Sequence, residues 1–154
     1  MPNILFVCTA NQFRSPLAEA FLKKHIAEDG AAMGWQVKSA GTWVKEKSRA
    51  HHLAIVIAKV NGIDLSSHVT QEINKELINE ADLIVVMTEN HKEALQYEFQ
   101  DYKDKIVMLS EISCGQIYDI PDPILNNLIN CEDIYHDIEQ EINKTYIKLI
   151  KQFS

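Results

Sequence analysis

Three short apolar runs do most to limit what this chain can fold into: NILFVC at residues 3–8, LIVVM at 83–87 and KIVML at 105–109. None alternates apolar with polar, so each reads as a strand buried on both faces. A further stretch, Trp35 to Ser39, does alternate. Segments with helical spacing lie between these strands. That order predicts an α/β fold, a single three-layer domain with a four-stranded parallel sheet and helices on both faces. A length of 154 residues, 46% of them apolar, fits one domain with a sizeable core over residues 1–154.

The helices are read from apolar spacing and capping residues. Ser15 and Pro16 suit the N-cap and first position of a helix from Leu17 to Glu28, apolar at 17, 20, 21 and 26. Ser48 is the expected cap of a second helix, with Leu53, Ile57 and Val60 inward and Gly62 as its stop. A polar helix follows from Thr70 to Glu80, and Thr88 caps another reaching about Phe99. Residues from Ser110 to about Cys131 read as loop. A long helix then closes the chain, with Ile134, Ile138, Ile142, Tyr146 and Leu149 along one face.

Composition excludes several classes of function. The formal charge is −7, and Lys and Arg are scattered, which argues against a nucleic-acid partner. No apolar run approaches the roughly 18–20 residues of a membrane span. The start, Met-Pro-Asn, lacks a basic segment, and Ile4 to Cys8 is too short for a signal peptide, so a cytoplasmic protein is expected. The three cysteines, Cys8, Cys114 and Cys131, are odd in number and widely spaced, which fits neither a disulfide framework nor a structural zinc site. His51 and His52 open a helix, where adjacent side chains diverge by about 100°, so no metal site is read there.

Cys8 ends the first strand, and in such sheets ligands sit at the carboxyl ends of the strands. The stretch FVCTANQFRSPLAEA, residues 6–20, then places an arginine six residues after the thiol, followed by Ser-Pro. A loop turning from strand into helix can aim several backbone N–H groups into one concavity, which binds a tetrahedral oxyanion such as phosphate or sulfate. Arg14 would grip two of its oxygens. The same dipoles favour the thiolate, which Ser15 can support by donating to the sulfur. A thiolate beneath a bound phosphate is a nucleophile aimed at phosphorus. The leaving group needs an acid, and DIPDPI, residues 119–124, offers Asp119 and Asp122 on a proline-stiffened turn.

Taken together, the chain resembles the low-molecular-weight protein tyrosine phosphatases almost end to end. The likeness is carried by VCTANQFRSPLAEA, SAGT (39–42), NGIDLSSH (61–68), ADLIVVMTENH (81–91) and DIPDP (119–123), in that order. The resemblance implies a two-step phosphocysteine mechanism without cofactor or metal. It assigns Cys8 as nucleophile, Arg14 as phosphate clamp and Asp122 as general acid and then base. Asp119 becomes a neighbour that shapes the loop. Ser15 supports the thiolate, while Asn11, Ser39 and His68 match a network that locks the loop; Asn tolerates the left-handed backbone such a loop needs. Thr9, Ala10, Asn11, Gln12, Phe13, Arg14 and Ser15, with Trp43, make up the implied substrate-binding set.

Departures from the family pattern concern specificity and redox behaviour. Phe13 stands where many members carry a second cysteine that traps the oxidised nucleophile. Gln12 stands where tyrosine-directed members usually have Ile and protein-arginine phosphatases Thr. Ile124 and Leu125 replace aromatics after Asp-Pro, and Ala10 replaces a common Gly. Trp43 either walls the slot or anchors its loop by packing. Walls from Phe13, Trp43, Ile124 and Leu125 would favour a ring, hence phosphotyrosine in a protein substrate; the alternative is phosphoarginine. Arsenate reduction needs two further cysteines to relay a disulfide, and VVMTENHKEAL supplies none. A non-catalytic phosphate-binding module would hold Asp122 far from the pocket.

Overall fold

The computed structural model describes residues 2–30, 34–124 and 130–153. At its centre lie strands β1 (Asn3–Cys8), β2 (Gln36–Gly41), β3 (Leu83–Val86) and β4 (Ile106–Met108), all parallel, in the order β2-β1-β3-β4. Around them run α1 (Arg14–Glu28), α2 (His52–Val60), α3 (Lys75–Glu80), α4 (Glu89–Glu98), α5 (Leu109–Cys114) and α6 (Cys131–Phe153). The chain leaves β1 for one neighbour, β2, and later returns to the other, β3. This reversal opens a crevice at the carboxyl end of β1, where Cys8 stands.

The period of two along β1 divides the core. Ile4, Phe6 and Cys8 join Leu17 and Phe21 of α1 and Ile138 and Ile142 of α6 in one buried cluster. Leu5 and Val7 join Ile78 of α3 and Leu95 of α4 in another, on the opposite face. The three-layer expectation therefore holds, as does the buried stripe of α6. Among the described residues, no helix is long and apolar enough to cross a membrane.

Several expected elements differ in their ends. In α2 the buried residues are Ala54 and Ala58, whereas Val60 is 81% exposed. Its cap is His51, whose side chain accepts from the Leu53 amide at 3.1 Å, rather than Ser48. The N–H and C=O of Ser48 are taken instead by Thr70, which holds this stretch extended. The helix expected from Thr70 begins only at Lys75, capped by Asn74. Upstream, Gln71 O accepts from Gly41 and Ile73 N donates to Gly41, so the chain there lies alongside the end of β2. The expected loop after Ser110 contains α5, which stops at Gly115 with φ 73°.

Gly41 allows β2 and the loop after β1 to meet. A Cβ at this position would stand 2.5 Å from the Thr9 carbonyl oxygen and 2.7 Å from Val44 Cγ2. Gly41→Ala is therefore expected to cost about 1–3 kcal/mol in urea denaturation through overpacking against backbone. Unchanged stability would show that the loop can back away freely.

Candidate active site

The loop from Cys8 to Arg14 owes its shape to where its carbonyls go. Those of Cys8, Thr9 and Gln12 accept from the backbone N–H of Thr42, Trp43 and His51, each at 2.9 Å. That of Asn11 accepts from His68 Nε2, also at 2.9 Å. No cis peptide occurs among the described residues. In a trans peptide the next N–H points opposite to the carbonyl. The N–H groups of Thr9, Ala10, Gln12 and Phe13 are thus turned away from the flanking segments, as an anion cradle requires.

Asn11 adopts the left-handed backbone at φ 58° and is completely buried. Its Nδ2 donates to Ser15 Oγ (2.8 Å) and Ser39 Oγ (2.9 Å), and its Oδ1 accepts from the Gln71 amide (3.0 Å). The Ser39 hydroxyl in turn donates to Glu19 Oε1 at 2.6 Å. Ser15 Oγ lies 3.0 Å from Cys8 Sγ. The Ser15 hydroxyl therefore serves the sulfur and is not a helix cap; α1 starts one residue earlier, at Arg14, with Phe13 in the N-cap position. Pro16 still falls in the first turn, where its missing N–H costs nothing.

Arg14 is 3% exposed. Its Nη1 donates to Ile120 O at 3.0 Å, and its Nη2 lies 3.4 Å from both Asp122 Oδ2 and Thr9 Oγ1. Asp122 Oδ1 accepts from the Ile124 amide at 2.9 Å, which fixes the carboxylate on its turn. Asp119 accepts from the Glu89 amide at 2.9 Å, so this carboxylate ties the turn to the start of α4 and shapes the loop as expected. Cys8, Arg14 and Asp122, six to more than one hundred positions apart in sequence, are thereby gathered around one loop.

The walls of the site differ from the expectation. Phe13 is 2% exposed and packs in the core, so only its backbone belongs to the loop. Trp43 is 66% exposed, which excludes a packed anchor. With Ala10, Gln12, Val44, Lys45, Glu46 and Ser48 it lines a cavity of about 460 Å³ beside the loop. The Gln12 amide donates to Ser48 Oγ at 3.1 Å. Ile124 is half-buried, and Leu125 lies outside the described residues. Cys114 is exposed at the end of α5, while Cys131 is buried at the start of α6. Burial and the Asp122 charge both push the Cys131 thiol up.

A family model described as low molecular weight phosphotyrosine protein phosphatase matches residues 3–154. The chain belongs to this family. It is 33% identical to a protein-arginine-phosphatase of Bacillus subtilis over 150 residues, covering 97% of this chain and 95% of that one. It is 31% identical to a probable low molecular weight protein-tyrosine-phosphatase of Ralstonia solanacearum over 141 residues, covering 92% and 91%. Among solved structures, an arginine phosphatase from Geobacillus stearothermophilus superposes with a TM-score of 0.89 at 32% identity, covering 99% of this chain and 95% of that one.

Within this phosphatase family fold, four residues around the loop escape a reading of the sequence. Glu19 follows Ser15 by four positions, so one helical face carries both; that spacing was the available signal. Gln71 and His51 reach the loop only because of how their segments are laid across β2 and α1. His91, in the first turn of α4, places Nε2 2.8 Å from Thr9 Oγ1.

His91 also sets a pH dependence. Burial first, and then the Arg14 charge, lower its pKa from 6.5 to about 4, against the opposing pull of Asp119 and Asp122. Between these values the unfolded chain binds more protons than the folded one, so stability rises with pH across that window. Acidification from neutrality is expected to remove on the order of 3 kcal/mol through this ring. Urea midpoints measured from pH 6.5 to 4.5 check this: His91→Gln should flatten the profile, and an equally steep profile would place the acid loss elsewhere.

Proposed function

We propose that this chain is one cytoplasmic phosphatase domain that hydrolyses phosphate monoesters on protein side chains, with phosphotyrosine favoured. The observation that carries the reading is the gathering of Cys8, Arg14 and Asp122 around a loop whose N–H groups are turned away from its supports. The loop amides and Arg14 hold the phosphoryl oxygens. The Cys8 thiolate, steadied by the Ser15 hydroxyl, attacks phosphorus as the bond to the side-chain oxygen breaks. Asp122 gives its proton to that leaving oxygen. The resulting carboxylate then takes a proton from water, whose oxygen attacks the phosphocysteine. The S–P bond breaks, and inorganic phosphate leaves with the thiolate restored. The steps as written need no cofactor.

An apolar approach favours a ring: Trp43 stands exposed at the rim, and Ile124 follows directly on the acid turn. Gln12, whose amide is engaged by Ser48, replaces the threonine of the arginine-directed pattern. A second reading, phosphoarginine, is favoured by the names of the Bacillus and Geobacillus relatives. Rates on matched phosphotyrosine and phosphoarginine peptides decide between the two.

Two outcomes are expected for the chemistry. Pure protein hydrolyses p-nitrophenyl phosphate at mildly acidic pH; Cys8→Ser abolishes turnover, and Asp122→Asn lowers kcat by about 10²–10⁴-fold. Absence of hydrolysis by the wild type would refute the reading. Because Phe13 replaces a neighbouring thiol, peroxide is expected to carry Cys8 past the sulfenic acid. Inactivation should then be poorly reversed by dithiothreitol. Full recovery would mean that Cys114 or Cys131 resolves the oxidised sulfur.

A further inference from the structure

His91 is a histidine with an unusual burden. It is 8% exposed, and its Nδ1 has no hydrogen-bond partner among the described residues. A buried polar atom left without a partner costs about 1–3 kcal/mol and asks for a reason. The other ring nitrogen faces the phosphate loop. Nε2 lies 2.8 Å from Thr9 Oγ1, and the same oxygen lies 3.4 Å from Arg14 Nη2.

One of these two directions follows from the donor. A guanidinium only donates, so Thr9 turns an oxygen lone pair to Arg14. The Thr9 hydroxyl keeps its proton and a second lone pair, and either can meet Nε2, according to the tautomer of the ring. In either neutral tautomer Nε2 bonds to Thr9, and Nδ1 is the atom without a partner among the described residues.

We infer that His91 is a positioning residue for the phosphate clamp: through Thr9 it fixes the rotation of the Arg14 guanidinium. The inference rests on the phosphatase reading above, in which Arg14 grips the phosphoryl oxygens. Two other contacts hold the guanidinium: Nη1 donates to Ile120 O, and Nη2, the nitrogen that also faces Thr9, lies against Asp122. Thr9 is the contact from within the loop itself, and His91 decides which way its hydroxyl points. A protonated ring would add a second positive charge beside Arg14 and leave Thr9 only the accepting role. Burial keeps the ring neutral near pH 7, against the pull of Asp119 and Asp122, so the relay persists under ordinary conditions.

The test measures kcat/KM on p-nitrophenyl phosphate and the inhibition constant of inorganic phosphate. The proteins are the wild type, Thr9→Val, His91→Leu, His91→Gln and the Thr9→Val/His91→Leu double variant. Each of the first two variants is expected to lose about tenfold in kcat/KM and a similar factor in phosphate affinity. The double variant should lose little more than the worse single one, because both break the same link. His91→Gln should retain activity within about threefold, since its Oε1 reaches where Nε2 stands. Losses that add in the double variant would overturn the assignment. So would a His91→Leu protein that keeps both constants within twofold. Should His91→Leu fail to fold, Thr9→Val reads the same link by exchanging a hydroxyl for a methyl, and unchanged constants there refute it equally. An inactive wild type would refute the phosphatase reading itself; an active wild type with indifferent variants refutes only the relay.

Discussion

The site hangs on one residue held in a backbone conformation that most residues avoid. Asn11 sits at φ 58° with its side chain completely buried. Its amide spends both protons on serines and its oxygen on the Gln71 N–H, while its carbonyl takes His68. One side chain thus joins the loop to α1, to β2 and to the segment leading into α3. A buried polar network satisfied in this way is rigid, and losing one partner leaves another stranded at about 1–3 kcal/mol. The same bonds position Ser15 beneath the thiol. A loop that could relax would scatter the N–H groups whose common direction makes it an anion cradle.

Rigidity of a different kind holds Asp122. It lies on an irregular turn, yet the turn is fastened along its length. Ile120 N donates to Met87 O at the end of β3, and Asp119 ties to the start of α4. Farther back, the Tyr118 hydroxyl donates to Glu141 in the middle of α6 at 2.5 Å. The buried Arg14 draws on the same turn twice, through the Ile120 carbonyl and the Asp122 carboxylate. Arg14 and Asp122 therefore share supports. Placement before the substrate arrives is what makes such groups effective, since little ordering remains to be done during reaction.

Most of this architecture was legible from residue patterns. The apolar runs at 3–8, 83–87 and 105–109 gave strands within a residue or two, because unbroken burial on both faces leaves no other reading. Thr88 caps α4 as expected, its hydroxyl accepting from the His91 amide, and the α6 stripe from Ile134 to Leu149 is buried throughout. Errors fell where a short polar residue had two uses. Ser15 and Ser48 both looked like caps, but the sulfur claims one and the Gln12 amide the other. Thr70 to Ile73 looked helical until Gly41 took their backbone partners. Phe13 read as a slot wall because it follows Gln12 in a loop, yet at 2% exposure its side chain belongs to the core.

The sequence by itself determined the reactive groups on offer: a thiol and an arginine bracketing a strand-to-helix turn, and an aspartate before proline. These are local patterns, set by residue types at fixed spacing. Only the tertiary structure decided what stands behind them. Glu19, Gln71, His51 and His91 join the site across two faces of the sheet, and no spacing along the chain announces contacts whose partners are 20, 60, 39 and 82 residues apart. Hydrogen bonds are short and directional, so which polar group meets which is settled only once the strands and helices have been stacked.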